Sequence, residues 1–376
     1  MNKFFIISDV HLDAVTAGIH RFTEGKDAMW QVAERCRTEG AGFVFGGDLC
    51  DPDALDSHRC TAEAVGLSRQ LGEWGVPQLW LVGNHDIVED GQRTTTLAPV
   101  QSSAMMHVVQ TVPDTIPSFG EFALGVLPYT AKTHHYDPAL TIHEWSNDVT
   151  AGLAKPPDVI IGHLDSTTLQ PGSETDGMAR GRRLEWPLLE CAQLFPTATL
   201  IGGHYHRGQQ KGPLHIVGAP ARFTFGESDH QPGYLSVELK KGRGGKRTVA
   251  VERHRFANAR RVYSIGSTYA EREAALAGVT AGDIVRILVN EGGDESVGAF
   301  GDELLAAGAA AVRAKTLQHG ERAATDLIDR PEGDEPVSAE DGFEAARRLA
   351  REWPAAEAEF NTQLSALVAE LEQQSR

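Results

Sequence analysis

The stretch Lys3-Phe4-Phe5-Ile6-Ile7-Ser8-Asp9-Val10-His11 decides how this chain is read. Its apolar run has the length and the aromatic and β-branched content of a buried strand, and it ends on a D-x-H triplet. The same join of apolar run and polar motif recurs four times. Gly46-Gly47-Asp48 follows Phe43–Phe45, and Gly83-Asn84-His85-Asp86 follows Leu79–Val82. Gly162-His163 follows Val159–Ile161, and Gly203-His204-Tyr205-His206 follows Thr199–Ile201. Loops beyond the carboxyl ends of strands are where α/β sheets assemble their sites. Each motif alone is an ordinary turn. As an ordered set they deliver Asp, His, Asp, Asn, His, His and His to one kind of place, and that set predicts a metal centre. Carboxylate and amide oxygens with imidazole nitrogens suit Mn²⁺, Fe²⁺ or Zn²⁺. The neighbouring glycines let the backbone turn sharply beside an ion.

Outward from these motifs, the first 240 residues alternate strand-like runs with helical stretches, the pattern of an α/β fold. Further strands are expected at His107–Gln110, Phe122–Val126, His215–Val217 and Tyr234–Leu239, and helices at Lys26–Thr38 and Ser57–Glu73. A glycine-rich turn at 240–246 joins Tyr234–Leu239 to Thr248–His254 as a hairpin. The predicted organisation is an α/β domain over 1–240, a basic hairpin connector over 241–261 and a small α/β unit over 262–316. An acidic, breaker-rich linker over 317–342 and a helical segment over 343–376 follow. The small unit is read as a helix near Thr268–Leu276, a strand at Asp283–Val289 and a helix near Glu303–Ala309. In the last segment Phe360, Leu364, Leu367 and Leu371 form an apolar stripe along one helix face.

Composition narrows the class. With 41% hydrophobic and 23% charged residues, the 376-residue chain has a globular mixture and is not disordered throughout. No early apolar run approaches a membrane span or the core of an export signal, so no membrane partner is expected. Four cysteines in no C-x-x-C pair fit a reducing, cytoplasmic setting. The net charge of −17 is unevenly spread: residues 240–261 carry nine Lys or Arg against one acid, between two acidic blocks.

The five motifs together resemble the calcineurin-like metallophosphoesterase superfamily over about residues 1–240. That resemblance implies an α/β/β/α fold, a β-sandwich flanked by helices, and a pair of divalent ions. One ion would be held by Asp9, His11 and His206, the other by Asn84, His163 and His204, with Asp48 bridging both. Such a pair activates a hydroxide and clamps a phosphoryl group. His85 would be the catalytic histidine, with Asp86 orienting it.

Three further features resemble the SbcD family of DNA double-strand-break repair exonuclease subunits. They are Gly46-Gly47-Asp48-Leu49-Cys50-Asp51, Leu127-Pro128-Tyr129, and the run from Gly218-Ala219-Pro220-Ala221-Arg222 through Phe223-Thr224-Phe225-Gly226-Glu227 to Pro232–Leu239. Asp13 stands where that family often has glycine. The resemblance implies a Mn²⁺-dependent DNA exonuclease and endonuclease, with Fe²⁺ and Zn²⁺ as other fits. It further implies an SbcC-type ATPase partner at Phe360, Leu364, Leu367 and Leu371, and it is compatible with a homodimer. Arg180, Arg182, Arg183, Lys240, Lys241, Lys246 and Arg247 are the expected DNA contacts, through backbone phosphates. The alternatives are a small-substrate metallophosphodiesterase or phosphatase acting on nucleotides, and a metal-bound scaffold without catalysis.

Overall fold

Successive side chains of a strand point to opposite faces, and Phe4, Phe5, Ile6 and Ile7 are all fully buried. This strand therefore needs cover on both sides, and the fold supplies it. The computed structural model describes residues 1–87, 95–102, 106–109, 118–130, 137–170, 184–242, 246–266, 268–289 and 296–317. The chain divides after Asp329, and every described residue belongs to the first unit. The expected linker beyond Leu317 and the segment 343–376, with Phe360, Leu364, Leu367 and Leu371, lie outside the described residues.

The first strands are β1 (Lys3–Ile7), β2 (Val15–Thr16), β3 (Ile19–His20), β4 (Gly42–Phe45), β5 (Gln78–Leu81) and β6 (Met106–Val109). Next come β7 (Ser118–Phe119), β8 (Phe122–Leu127), β9 (Val159–Gly162), β10 (Thr199–Gly202), β11 (Gln210–Lys211) and β12 (Leu214–Ile216). The last are β13 (Gly233–Lys241), β14 (Arg247–Arg255), β15 (Val262–Ile265), β16 (Ile284–Val289) and β17 (Ala311–Thr316). The helices are α1 (Phe22–Glu39), α2 (Ser57–Glu73), α3 (Pro138–Thr150), α4 (Leu188–Leu194), α5 (Tyr269–Gly278) and α6 (Ser296–Ala306).

Two six-stranded sheets form the body, ordered β14-β13-β1-β4-β5-β6 and β11-β12-β10-β9-β8-β7. Phe4 and Ile6 pack with Val44, Leu79, Leu124, Val126 and Ile161 between the sheets. Phe5 and Ile7 turn the other way, toward Met29 and Val32 of α1 and Leu67 of α2. On the far side of the second sheet, Ile160 and Leu200 pack against Ile142 and Trp145 of α3 and Cys191 of α4. The layers are α/β/β/α, as expected. Truncating a buried aromatic such as Phe4 or Phe5 to alanine costs about 3–5 kcal/mol.

β1, β4, β5 and β6 run parallel, as do β8, β9, β10 and β12. Their carboxyl ends therefore deliver the polar motifs from the same end of each sheet. β13 runs antiparallel to β1, with Lys3 opposite Glu238 and Ile6 opposite Leu235. The hairpin tip beyond Lys240 and Lys241 accordingly lies past the amino-terminal end of β1.

Residues 262–316 form a three-stranded parallel sheet, β15-β16-β17, with α5 and α6. Here the structure departs from the sequence reading: β15 and β17 are additional strands, and α6 begins at Ser296 and ends at Ala306. Val-Tyr-Ser-Ile is too short to show a period, and Ala-Val-Arg-Ala-Lys-Thr is richer in helix formers than in strand formers. Phe225, Val262 and Ile284 make the joint between this unit and the body. No helix among the described residues is long and apolar enough to cross a membrane. Cys36, Cys50, Cys60 and Cys191 are all free and buried.

Candidate metal centre

The turn after each strand bends the backbone abruptly. Asp9, His11, Asp48 and His204 all have positive φ, at 56°, 40°, 60° and 79°. Each such non-glycine conformation costs about 1–3 kcal/mol and persists where surrounding structure holds it. Gly47, at φ 104°, cannot carry a side chain: a Cβ there would lie 2.4 Å from His163 Nδ1. Gly83 is as tightly enclosed, with a Cβ position 2.2 Å from Asp48 Oδ1. These close approaches draw the two sheets' loops into one cluster.

Two groups of ligand-type side chains result, Asp9 with His11 and His206, and Asp48 with His163 and His204. Within each, the candidate atoms lie within 4.8 Å of one another. Asn84 completes the second group, its Oδ1 standing 2.9 Å from His204 Nδ1 and 3.1 Å from His163 Nε2. Asp48 lies between the groups. Its Oδ2 is 3.7 Å from His11 Nε2 and 3.3 Å from His163 Nε2, while Oδ1 accepts the His85 backbone N–H at 2.8 Å.

Three observations fit this cluster to divalent ions. Asp9 Oδ1 accepts the His204 backbone N–H at 2.9 Å, but the buried Oδ2 has no hydrogen-bond partner. Nature rarely leaves a buried carboxylate oxygen unsatisfied, so this one is a ready ligand. His11 Nε2 and His206 Nε2 face each other at 3.1 Å, two ring nitrogens converging on one point. The far nitrogens are fixed: His163 Nδ1 pairs with the Gly46 carbonyl at 2.8 Å, and His206 Nδ1 with Glu227 Oε1 at 2.7 Å. A ligand histidine is oriented in this way by its second nitrogen.

The electrostatics agree. Burial, with Asp48 adding to it, pushes the Asp9 carboxyl up to about 6. Burial and the His206 and His85 rings hold His11 well below its ordinary range. Burial and His163 take His204 down to about 3. Although burial opposes it, His163 and His85 hold Asp48 well below the carboxylate range. Burial likewise opposes, but Asp48 overcomes, so that His163 rises to about 9.

Of the remaining expected site residues, His85 sits where a substrate can reach it. Its ring centroid is 5.0 Å from that of His11, and its side chain is 32% exposed. Asp86 does not take the orienting role expected of it. It is fully buried, and its carboxylate accepts the backbone N–H groups of Gly83, Asp48 and Leu49, each at 2.8 Å, and the Thr96 hydroxyl at 3.1 Å. Asp86 thereby pins the loops of β4 and β5 together. The acid beside the His85 ring is Asp51, with Oδ2 4.0 Å from Nδ1.

The basic hairpin lies away from this centre. Lys240 and Lys241 lie at the amino-terminal end of β1, opposite the metal centre, and Arg247 pairs with Lys241 there. Five residues of β1 alone separate the two ends by about 16 Å at ~3.3 Å per residue. These side chains are already engaged: Lys240 with Glu238 at 3.7 Å, Lys241 with Glu121 at 2.5 Å, and Arg247 with Asp158 at 2.5 Å. Lys246 caps the same turn. Arg180, Arg182 and Arg183 lie outside the described residues.

Two site residues escaped the sequence reading. Glu227 bonds His206, and Phe223 places its ring 5.5 Å from both His11 and His206. The Gly218–Glu227 stretch was conspicuous, but nothing in its spacing told which side chains turn inward.

With this geometry in view, comparison with known proteins gives one informative match. The family model described as calcineurin-like phosphoesterase matches residues 2–208. No curated protein matches the chain. Among solved structures, a dimetal phosphatase from Danio rerio is 13% identical, with a TM-score of 0.40, covering 66% of this chain and 98% of its own. A Thermus thermophilus protein is 11% identical, with a TM-score of 0.36 and coverages of 66% and 98%. Vps29 of Chaetomium thermophilum is 12% identical, with a TM-score of 0.25 and coverages of 68% and 97%.

Proposed function

This chain belongs to the calcineurin-like phosphoesterase family and is a metal-dependent phosphoester hydrolase, and from that premise we propose that it is a Mn²⁺-dependent nuclease cutting DNA phosphodiester bonds. The observation that carries this reading is where the Gly218–Glu227 stretch goes. The residues that resemble SbcD-type nucleases fold onto the candidate centre, Phe223 against His11 and His206 and Glu227 on His206.

In this reading Asp9, His11 and His206 hold one ion, and Asn84, His163 and His204 hold the other. Asp48, whose carboxylate lies near both His11 and His163, would serve both. Two bound divalent ions supply Lewis acidity to a phosphoryl oxygen and to an attacking water. His85 holds a proton at the solvent-facing edge and passes it to the departing oxygen. Asp51, beside its Nδ1, orients the ring. Phe223 walls one side of the centre and limits water there.

A second reading, a small-substrate phosphodiesterase or phosphatase acting on nucleotides, has its own support. The basic hairpin expected to grip DNA is remote from the centre and paired with acids. Purified protein with Mn²⁺ is to be given linear duplex DNA, bis-p-nitrophenyl phosphate and a nucleotide monophosphate in parallel. Cleavage of the duplex supports the nuclease; hydrolysis of only the small substrates replaces it with the second reading. An SbcC-type ATPase remains the proposed partner, docked on 343–376. Deleting 329–376 should leave Mn²⁺-dependent hydrolysis intact and abolish co-purification with that ATPase; loss of metal on deletion would refute it.

A further inference from the structure

Outside the ligands themselves, one buried acid reaches the centre from the side where the three-stranded unit joins the body. Glu227 is fully buried. Its Oε1 accepts from His206 Nδ1 at 2.7 Å, and its Oε2 accepts the Phe223 N–H at 2.6 Å and the Thr224 N–H at 3.4 Å. Its carbonyl accepts the His230 N–H at 2.8 Å. Glu227 thus ties a ligand-type histidine to both ends of one short turn.

That turn, Phe225–Glu227, is seated by the three-stranded unit. Phe225 is buried with Val262 of β15 and Ile284 of β16, and the Arg286 guanidinium stands 4.5 Å over its ring. The clamp and the carboxylate are two residues apart. A movement of β15 and β16 at Phe225 therefore reaches His206 through a single turn of backbone.

We propose that Glu227 is the positioning residue of the first ion, and that the three-stranded unit sets its position through Phe225. The proposal rests on the reading that Asp9, His11 and His206 hold that ion. Because a carboxylate accepts, His206 Nδ1 donates, which leaves the Nε2 lone pair aimed at the point shared with His11 Nε2. Without Glu227 the ring is free to turn and to exchange tautomers, and the first ion loses a fixed ligand. The second group has its own brace, the Gly46 carbonyl on His163, so the effect is confined to one of the two ions.

The test uses the full chain, titrated with Mn²⁺ alone by calorimetry, with ions counted after dialysis and the melting temperature of the metal-free protein taken alongside. His206→Ala should lose one ion. Glu227→Gln should weaken that same ion about 10–100-fold and leave the other unchanged. Glu227→Ala should be weaker than Glu227→Gln, since glutamine keeps an acceptor for Nδ1. Phe225→Ala should weaken the same ion by less. If His206→Ala keeps both ions, the metal reading of that group fails. If His206→Ala loses an ion but Glu227→Gln binds both as wild type, the positioning role alone is wrong. Equal weakening of both ions in Glu227→Gln, with a matching fall in melting temperature, would make Glu227 merely structural. An unchanged Phe225→Ala would remove the three-stranded unit from the account.

Discussion

The two ends of β1 both gather charged and titratable side chains and put them to opposite uses. At the carboxyl end, Asp9, Asp48, His163 and His204 are buried, the first two and His204 on strained backbone, and they converge across gaps that leave Asp9 Oδ2 without a hydrogen-bond partner. At the amino-terminal end, Lys240, Lys241 and Arg247 are exposed and already meet Glu238, Glu121 and Asp158 respectively. Buried charge without a complement is costly, so it persists where a ligand completes it. Exposed paired charge costs little and contributes little. Chemistry belongs to the first end, whatever the charge count of the second.

The largest effect is expected where one residue serves both groups. Asp48→Ala should remove both ions, as read by metal content after dialysis, and take hydrolysis to background. Retention of one ion at wild-type affinity would break the idea that Asp48 is shared. Next comes the packing that closes the centre. Gly83→Ala puts a methyl 2.2 Å from Asp48 Oδ1 and should destabilise the fold by about 1–3 kcal/mol in urea melts, with loss of metal. Gly66→Ala is the matched control: this α2 position has open space, and alanine there should stabilise by about 0.5–1 kcal/mol.

His85→Ala should lower turnover about 10²–10⁴-fold while both ions stay bound, because the ring is beside the first group without being needed in it. Loss of metal together with turnover would make His85 structural. The smallest effect is expected at the other end of β1. Reversing Lys240 and Lys241 to Glu should leave metal content and small-substrate hydrolysis at the wild-type level. Weakened duplex binding in that variant would show that DNA reaches across the sheet to the hairpin.

Much of the centre was legible because its residues directly follow apolar runs: a strand that ends on Asp9, Asp48, Asn84, His163 or His204 announces both the element and the ligand. The layered fold followed from the same runs, since Phe4–Ile7 needed cover on both faces. What stayed hidden depended on partners distant in sequence. Asp86 reads as an acid beside a histidine, yet its hydrogen bonds go to backbone at Asp48 and Leu49. The hairpin's position became visible only with the antiparallel pairing of β1 and β13. Glu227 meets His206 from 21 residues away, a contact that no periodicity encodes. β15 and β17 are short or alanine-rich, and it is their pairing with β16 that makes them strands.

In the proposed reading the carboxyl ends of the two sheets hold two ions joined by Asp48. A crystal of the full chain grown with Mn²⁺, measured at the manganese absorption edge, tests it directly. Two anomalous peaks about 3.5–4 Å apart are expected, one among Asp9, His11 and His206, the other among Asn84, His163 and His204, with the Asp48 carboxylate touching both. A single peak, or peaks away from these side chains, would contradict it.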